Sequence, residues 1–280
     1  MATVDKIETI HGSVVQHGRH NDRIYLMHLH DADPSVLVAT LDRMAVEHGY
    51  GKILAKIPAT AWRRFQTAGY IREAIVPGFF KGETDGLFIA KFFSEDRQQP
   101  SRKHGSECRP VGSAGTAQPK MPFAEIAACT PAEAGAMAGI YARTFETYAF
   151  PIHRPEWIRH MMAKDTVYFC ARVDKQMVSL AAAEIDVANR NCEMTDFATL
   201  PEFRRLGLAS RLLHRLDKET RNRGVKTAYT IARADSKGMN RVFAKAGYRH
   251  AGRLVKNTQI GGRIRSMHVW YKRRPSQTNW

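Results

Sequence analysis

The sequence has 280 residues, of which 44% are hydrophobic and 25% charged, and its formal net charge is +16. This composition fits a folded protein of one large or two ordinary domains, and no apolar run reaches the roughly 20 residues that a membrane helix needs. The first residues lack the apolar core of a secretory signal, so we expect a cytoplasmic protein with no membrane partner. The positive charge favours an anionic partner such as a phosphorylated cofactor. Nucleic acid is less favoured, because the charge is not gathered into one arm and no nucleic-acid motif accompanies it.

Metal binding is not indicated by the sequence. The four cysteines form no CxxC pair, and the twelve histidines include no HExxH-type spacing. Cys170 and Cys192 lie in apolar, strand-like runs and are predicted to be small core residues. We therefore expect no metal ion in the site.

The N-terminal part, residues 1–93, is predicted to form an α/β domain on the basis of its apolar periodicity and its glycine punctuation. Its predicted elements are a helix at 34–48 that Gly49 ends, a strand at 52–57, a helix at 61–68, and strands at 71–80 and 86–93.

Residues 94–122 are rich in serine, glycine, proline and charge, and they show no apolar periodicity. This composition predicts a linker. It separates the N-terminal part from a second domain at 123–272, and residues 273–280 are expected to form a tail.

The second domain is predicted to alternate helices and strands. Thr130, Pro131 and Glu133 are typical of a helix start, with a capping threonine, a proline at the first position and a glutamate at the third. The predicted elements are a helix from there to about 148, a helix after Pro155, strands at 166–173, 177–187 and 192–200, a helix at 206–223, a strand at 227–232, a helix at 239–246, and strands at 251–258 and 263–271.

The two parts of the chain contain a weak internal repeat. The segment FQTAGY at 65–70 corresponds to FAKAGY at 243–248, and Gly49 corresponds to Gly224, with spacings of 175 to 178 residues. Each copy of the segment follows a predicted strand and precedes two more. We interpret this as a structural repeat rather than chance similarity.

The strongest chemical signal follows the predicted strand at 192–200. Residues 204–209 (RRLGLA) fit R-x-x-G-x-A at a strand–turn–helix junction. The first amides of a helix lack partners within the helix and carry partial positive charge, so such a turn can bind a diphosphate. Gly207 and Ala209 leave the backbone open, and Arg204, Arg205 and Arg211 add charge. The alternative is a tight turn with solvated arginines. The N-terminal copy lacks this turn, so we do not expect it to bind the cofactor in the same way.

With the strand before it and the closing Gly247-Tyr248 after it, this turn resembles the core of the GNAT acetyltransferase superfamily. The resemblance implies an α/β (α+β) fold with a mixed central sheet and two splayed strands, and an N-terminal domain like the C-terminal half of that fold. It implies acetyl-CoA as co-substrate, with its pantetheine arm between the strand ending near Leu200 and the strand at 227–232. The residues implied in cofactor binding are Phe197, Ala198, Thr199, Arg204, Arg205, Leu206, Gly207, Leu208, Ala209, Ser236 and Asn240.

Several longer blocks, among them HGRHNDRIYLM, GYGKILAKIPA and TAYTIARADSKGMN, resemble the β-lysine N6-acetyltransferase family. This resemblance implies acetylation of the side-chain amine of β-lysine to give Nε-acetyl-β-lysine, a compatible solute, and a functional link to lysine 2,3-aminomutase. The alternatives are another small amine, a protein lysine, or a non-catalytic nucleic-acid-binding role. A homodimer is left open.

Acetyl transfer to an ammonium group requires a base, and the strand at 192–200 offers two carboxylates. Glu193 is the first candidate and Asp196 the second, although strand alternation places them on opposite faces unless a bulge intervenes. Either could instead bind a substrate ammonium group or pair with a nearby arginine. Phe243 occupies the place of the tyrosine that many GNAT enzymes use as general acid, so Tyr229, a water molecule or no acid at all remain as alternatives.

Substrate recognition needs acidic groups for the amines and a cation for the carboxylate. By analogy with the fold, we expect the loop after the first helix to contribute Tyr148, His153 and Arg154. The acidic candidates are Glu146, Glu184 and Asp186. The alternatives are a solvated arginine and a tyrosine that serves only in packing.

Overall fold

The computed structural model describes residues 5–30, 34–99 and 124–274, which we divide into an N-terminal half (5–99) and a C-terminal half (124–274). The elements of the N-terminal half are β1 (Lys6–Ile10), β2 (Ser13–Gly18), β3 (Arg23–His28), α1 (Pro34–His48), β4 (Lys52–Pro58), α2 (Trp62–Thr67), β5 (Ile71–Phe80), β6 (Thr84–Phe92) and α3 (Glu95–Gln98). None of the described helices is long and apolar enough to span a bilayer.

The C-terminal half adds seven strands and four α-helices to the described structure. They are β7 (Glu125–Ala128), α4 (Ala134–Thr144), α5 (Pro155–Met162), β8 (Thr166–Val173), β9 (Gln176–Asp186), β10 (Asn191–Thr199), α6 (Leu208–Asn222), β11 (Thr227–Arg233), α7 (Lys237–Lys245), β12 (Arg249–Ile260) and β13 (Arg263–Arg273). All strands of the described residues join one sheet in the order β1-β2-β3-β4-β6-β5-β12-β13-β11-β10-β9-β8-β7.

The two halves share one topology. The series β3-α1-β4-α2-β5-β6 takes the sheet order β3-β4-β6-β5, and β10-α6-β11-α7-β12-β13 takes the order β10-β11-β13-β12. In each series the first two strands are parallel and the remaining pairs are antiparallel. The halves meet where β5 pairs antiparallel with β12, and Ala74 lies opposite Gly252.

Most predicted elements agree with the structure to within a few residues, but three differences matter. The helix predicted to run to about 148 ends at Thr144, because Phe145 takes an extended conformation, and a 3-10 turn (Pro131–Glu133) precedes it. Strands β1 to β3 were not predicted. The predicted linker at 94–122 contains the short helix α3, in which the Ser94 side chain accepts from the Arg97 amide at 3.3 Å. Its remainder lies outside the described residues, so the division at 94–122 and the tail at 273–280 stay predictions.

Helices cover both faces of the C-terminal sheet. Helix α6 buries Leu212, Leu213 and Leu216 against one face, together with Cys192 and Met194 of β10. Helix α4 buries residues such as Tyr141 against the other face. Full burial of a leucine side chain contributes about 1.5 to 3 kcal/mol, so these helices fix the strands firmly. Cys170 and Cys192 are both fully buried, as predicted.

The sheet is strongly curled between its halves. Strands β4 and β11 are five places apart in the sheet, which would separate them by about 24 Å if it were flat. Lys56 of β4 nevertheless reaches the Tyr229 hydroxyl of β11, with 3.5 Å between the Lys56 Nζ and the hydroxyl oxygen. The concave face is apolar and draws on both halves, with Tyr25, Leu54, Phe79 and Phe88 from the first and Tyr229, Met267 and Val269 from the second. The N-terminal half therefore lines one side of the space next to β11 on the concave face.

Candidate active site

Strands β10 and β11 separate at a defined point. Their parallel pairing covers three rungs and ends where Glu193 lies opposite Tyr229. Beyond that rung, β10 continues to Thr199 and β11 to Arg233, but the two strands no longer pair with each other. The gap leaves the β10 backbone at Phe197, Ala198 and Thr199 unpaired on its β11 side. These are the residues predicted to contact the pantetheine arm.

In the segment at residues 204–209 (the phosphate turn), Gly207 takes the left-handed conformation, at a φ of 73°, directly before the first residue of α6. A Cβ added at Gly207 would meet nothing within 4 Å, so the approach to the helix start is open. No side chain caps the first amides of α6 in the described structure. Arg204 and Arg205 are exposed, whereas Arg211 donates to the Ala124 carbonyl at 2.6 Å. Free helix amides beside exposed arginines fit a diphosphate.

A β-bulge reorients the second carboxylate of β10. The register against β9 shifts between Thr195 and Ala198, and Asp196 has a φ of 55°. Cys192 and Met194 face α6, but Asp196 turns to the other face, where it accepts from the Tyr148 hydroxyl at 2.9 Å. Asp196 therefore lies on the same face as Glu193. The β-bulge that this arrangement requires is therefore present.

Glu184, Glu193 and Asp196 form a carboxylate cluster on that face. Glu184 lies directly opposite Glu193 in the β9–β10 ladder. Burial raises the pKa of Glu193 to about 7, and burial together with the charge of Glu193 raises the pKa of Glu184 to about 8. Burial also raises the pKa of Asp196 to about 6, although hydrogen bonds from Tyr148 and Thr195 oppose the rise. Grouped, desolvated carboxylates attract cations and include a base suited to neutral pH.

Sequence reasoning missed Lys56 and Tyr25 of the N-terminal half, which interact with this cluster, and His28, which interacts with Lys56. Lys56 is half-buried, and its Nζ lies 5.6 Å from the Phe79 ring centroid and 5.8 Å from that of Tyr229. Burial lowers the pKa of Lys56, and the charge of Glu193 opposes the shift. Burial raises the pKa of Tyr25, and Glu193 adds to the rise. His28 has a lowered pKa through burial and the charge of Lys56. The sequence signal that could have indicated Lys56 is its position within the largely apolar strand KILAKIP.

The predicted substrate residues separate into two groups. Tyr148 and Glu184 belong to the carboxylate cluster or contact it, and the Tyr148 carbonyl also accepts from His20 Nε2 at 2.9 Å. Asp186 lies further along β9 and caps a turn by accepting from the Asn189 amide at 3.0 Å. Arg154 is exposed at the start of α5, and its role stays a prediction.

The last predicted cofactor residues lie around α7. Ser236 is half-buried just before the helix. The side-chain amide of Asn240 is bonded internally, since its Nδ2 donates to the Arg233 and Ser236 carbonyls and its Oδ1 accepts from Trp270 Nε1 at 2.8 Å. Its part in cofactor binding stays a prediction, and any direct contact would compete with these bonds.

Phe243 is 1% exposed and stacks edge-on between Phe197 and Tyr248. Its ring fills the core between α7 and the sheet and carries no titratable proton. Among the described residues, no group of three side chains is arranged to bind a metal ion.

Splayed parallel strands, an open helix start after a glycine turn and a nearby cluster of carboxylates are features of the GNAT class of acetyltransferases. The sequence model of the acetyltransferase (GNAT) family matches residues 136–248. A β-lysine N6-acetyltransferase of Methanococcus maripaludis is 33% identical over 274 residues, covering 96% of this chain and 99% of the relative. The chain therefore belongs to the β-lysine N6-acetyltransferase family within the GNAT acetyltransferases, and it is an N-acetyltransferase that uses acetyl-CoA.

The chain is also similar to two further proteins. A β-lysine N6-acetyltransferase of Methanosarcina mazei is 28% identical over 258 residues, covering 84% of this chain and 95% of the relative. Among solved structures, the ribosomal-protein-S18-alanine N-acetyltransferase of Escherichia coli aligns with 56% of this chain and 99% of its own, at 15% identity and a TM-score of 0.49.

Proposed function

We propose that this protein transfers the acetyl group of acetyl-CoA to the side-chain amine of β-lysine, giving Nε-acetyl-β-lysine. The observation that carries the proposal is the carboxylate cluster at the point where β10 and β11 separate. The names of the two β-lysine N6-acetyltransferase relatives support it.

The cluster suits a substrate with two amino groups. β-Lysine carries an ammonium group at each of two carbons, and both must be recognised although only one is acetylated. Glu193 lies at the last paired rung, beside the gap that receives the pantetheine arm. Glu184 lies on the next strand, β9, and Asp196 lies beyond the last β10–β11 rung, so both are available to hold the second ammonium group. A single carboxylate could not serve as base and anchor at once.

Acetyl-CoA supplies the activated acetyl thioester, and the residues of the protein supply position and proton transfer. Glu193 accepts the proton that the attacking ammonium must lose, and a pKa of about 7 leaves much of it ionised at neutral pH. The unpaired β10 backbone at residues 197–199 is placed to donate to the carbonyl oxygen as negative charge develops there. Tyr229 lies directly opposite Glu193 at the last rung, and hydrogen bonding by its hydroxyl lowers the pKa of the Glu193 carboxyl.

Two wider assignments follow from the proposed substrate. Lysine 2,3-aminomutase forms β-lysine from α-lysine, so a functional link to that enzyme is proposed, with the acetylated product serving as a compatible solute. The proposed location is the cytoplasm, where both enzymes would share one pool of the amino acid.

The test is a thiol-release assay with acetyl-CoA and, in parallel, β-lysine, α-lysine and spermidine. We expect β-lysine to give the highest kcat/KM. Absence of CoA release with every amine would contradict an acetyltransferase of small amines. A kcat/KM for α-lysine or spermidine far above that for β-lysine would contradict the substrate assignment while leaving the reaction type intact.

A further inference from the structure

Strand β4 carries two lysines that point to the concave face of the sheet, four residues apart. Lys52 is fully buried, and its Nζ donates to the Glu73 carboxylate and to the Val255 carbonyl, each at 2.7 Å. Lys56 forms no ion pair with any described residue, and its Nζ donates to the Tyr229 hydroxyl at 3.5 Å. One lysine is thus satisfied by the fold, whereas the other is not.

The position of Lys56 is unfavourable for a lysine that has only a structural role. Its side chain is half-buried on the concave face, and its ammonium group lies over the rings of Phe79 and Tyr229. Full removal of an ammonium group from water costs several kcal/mol, so partial burial is also unfavourable, and contact with two rings returns about 1 to 2 kcal/mol. An ammonium group has three donors, and one long hydrogen bond leaves two of them available. A carboxylate is the group that would complete this environment.

Lys56 also lies at the correct place relative to the reaction. Its hydrogen-bond partner Tyr229 is paired with Glu193 at the last rung of the β10–β11 ladder. Tyr229 therefore lies beside both the ammonium group of Lys56 on β4 and the carboxylate cluster on β9 and β10. Opposite charges contributed by the two halves to one site match an amino acid that has amines along its chain and an acid at its end.

We infer that Lys56 binds the carboxylate of the amino-acid substrate, so that the N-terminal half supplies the group that distinguishes an amino acid from a simple diamine. This inference deepens the proposed function and rests on it. It also gives the N-terminal half, which lacks the phosphate turn, a direct part in substrate recognition.

The experiment compares Lys56→Met in the full-length protein with wild type on two substrates. One is β-lysine, and the other is 1,4-diaminopentane, which has the same two amines and no carboxylate. We expect Lys56→Met to raise the KM for β-lysine at least tenfold and to change the KM for 1,4-diaminopentane less than twofold. Lys56→Arg should recover part of the loss, because it restores a cation in the same position. Where turnover of the diamine is slow, its Kd is measured by calorimetry.

Equal losses on the two substrates would overturn the inference, since they would show that Lys56 acts on the carboxylate cluster or on folding. An unchanged KM for β-lysine would overturn it as well. Urea unfolding of Lys56→Met should show no loss of stability, because the substitution removes a desolvated charge. If wild type prefers α-lysine, the pair becomes α-lysine and 1,5-diaminopentane, so Lys56 is tested independently of the β-lysine assignment. A wild-type enzyme that acetylates only amines without a carboxylate would also contradict it.

Discussion

Ala74 and Gly252 lie opposite each other where the two halves of the sheet join, and they are equivalent positions of the repeat. The 178 residues between them equal the separation of Tyr70 from Tyr248 in the repeated segments. The backbones approach closely here, since a Cβ added to Gly252 would lie 2.1 Å from the Glu73 carbonyl oxygen and 2.6 Å from the Ala74 Cα. Equivalent strands pairing at equivalent residues place a local twofold axis between the halves.

Gly252→Ala should therefore destabilise the protein by about 3 kcal/mol or more, because the obstructing atoms belong to the backbone and cannot rotate away. The free energy of unfolding in urea is the measurement. The matched control is Ala74→Gly, which removes a methyl group at the equivalent position and should cost only about 1 kcal/mol. Similar losses for the two variants would contradict the close approach.

Gly207→Ala tests the phosphate turn. The left-handed conformation of Gly207 costs a residue with a side chain about 1 to 2 kcal/mol, so the turn should shift and the KM for acetyl-CoA should rise several-fold. The control is Gly139→Ala on the exposed face of α4, which should stabilise the helix slightly and leave that KM unchanged. A raised KM for acetyl-CoA in both variants would remove the special role of this turn.

Glu193→Gln and Asp196→Asn should separate the base from the substrate anchor. Loss of a general base costs about 10² to 10⁴ in rate, so Glu193→Gln should lower kcat at least a hundredfold. Asp196→Asn should mainly raise the KM for the amine. In wild type, kcat/KM should rise with pH through about 7 as Glu193 loses its proton, and Glu193→Gln should lose this dependence. The reverse pattern in the two variants would identify Asp196 as the base.

Tyr229→Phe should move the pH profile to higher pH. The Tyr229 hydroxyl bonds to Glu193 and lowers the pKa of that carboxyl, so its removal should raise the apparent pKa of kcat/KM. Activity should then fall more at pH 6.5 than at pH 8.5. These two conditions lie below and above the pKa of about 7 of Glu193 in the wild type. Tyr70→Phe is the matched control, because the Tyr70 hydroxyl faces Asp42 in the N-terminal half. A uniform loss at all pH values would contradict this positioning role.

Stability should also depend on the carboxylate cluster. The folded protein keeps Glu193 protonated between the ordinary pKa of 4.5 and about 7, so the stabilising contribution of this group is lost as pH rises through that window. Glu193→Gln is always neutral and should therefore gain stability relative to wild type by about 3 kcal/mol between acidic and mildly alkaline pH. Urea unfolding of the two proteins at each end of the window measures this difference. A difference that does not vary with pH would show that Glu193 is ionised throughout.

Local signals predicted much of the fold. Helix α1 begins at a proline and ends before Gly49, and its bounds match the prediction at 34–48. The phosphate turn was found because Gly207 and the arginines around it form a compact motif. Strands β1 to β3 escaped prediction because their residues mix histidine, arginine and apolar side chains without regular alternation, and burial is supplied by neighbouring strands. The sequence pattern predicted that the helix continues to about 148, but α4 ends at Thr144 in the structure.

The second wall of the site could not be read from local pattern at all. Lys56 reaches Tyr229 because the sheet curls, and that curl depends on the pairing of β5 with β12, elements 178 residues apart in the chain. The orientation of Asp196 could be stated only as conditional on a bulge. Both features arise from the register between distant strands, which no single segment encodes.

The twofold relationship of the halves has a consequence for how such a site can evolve. A symmetric homodimer of one half would present two identical sites, and every substitution would occur in both. Joining the halves in one chain removes this constraint. The C-terminal half has the phosphate turn. The N-terminal half lacks it and instead carries Lys56 on β4, the strand equivalent to β11. The two halves can then contribute different residues to one site, which is what a substrate with two different ends requires.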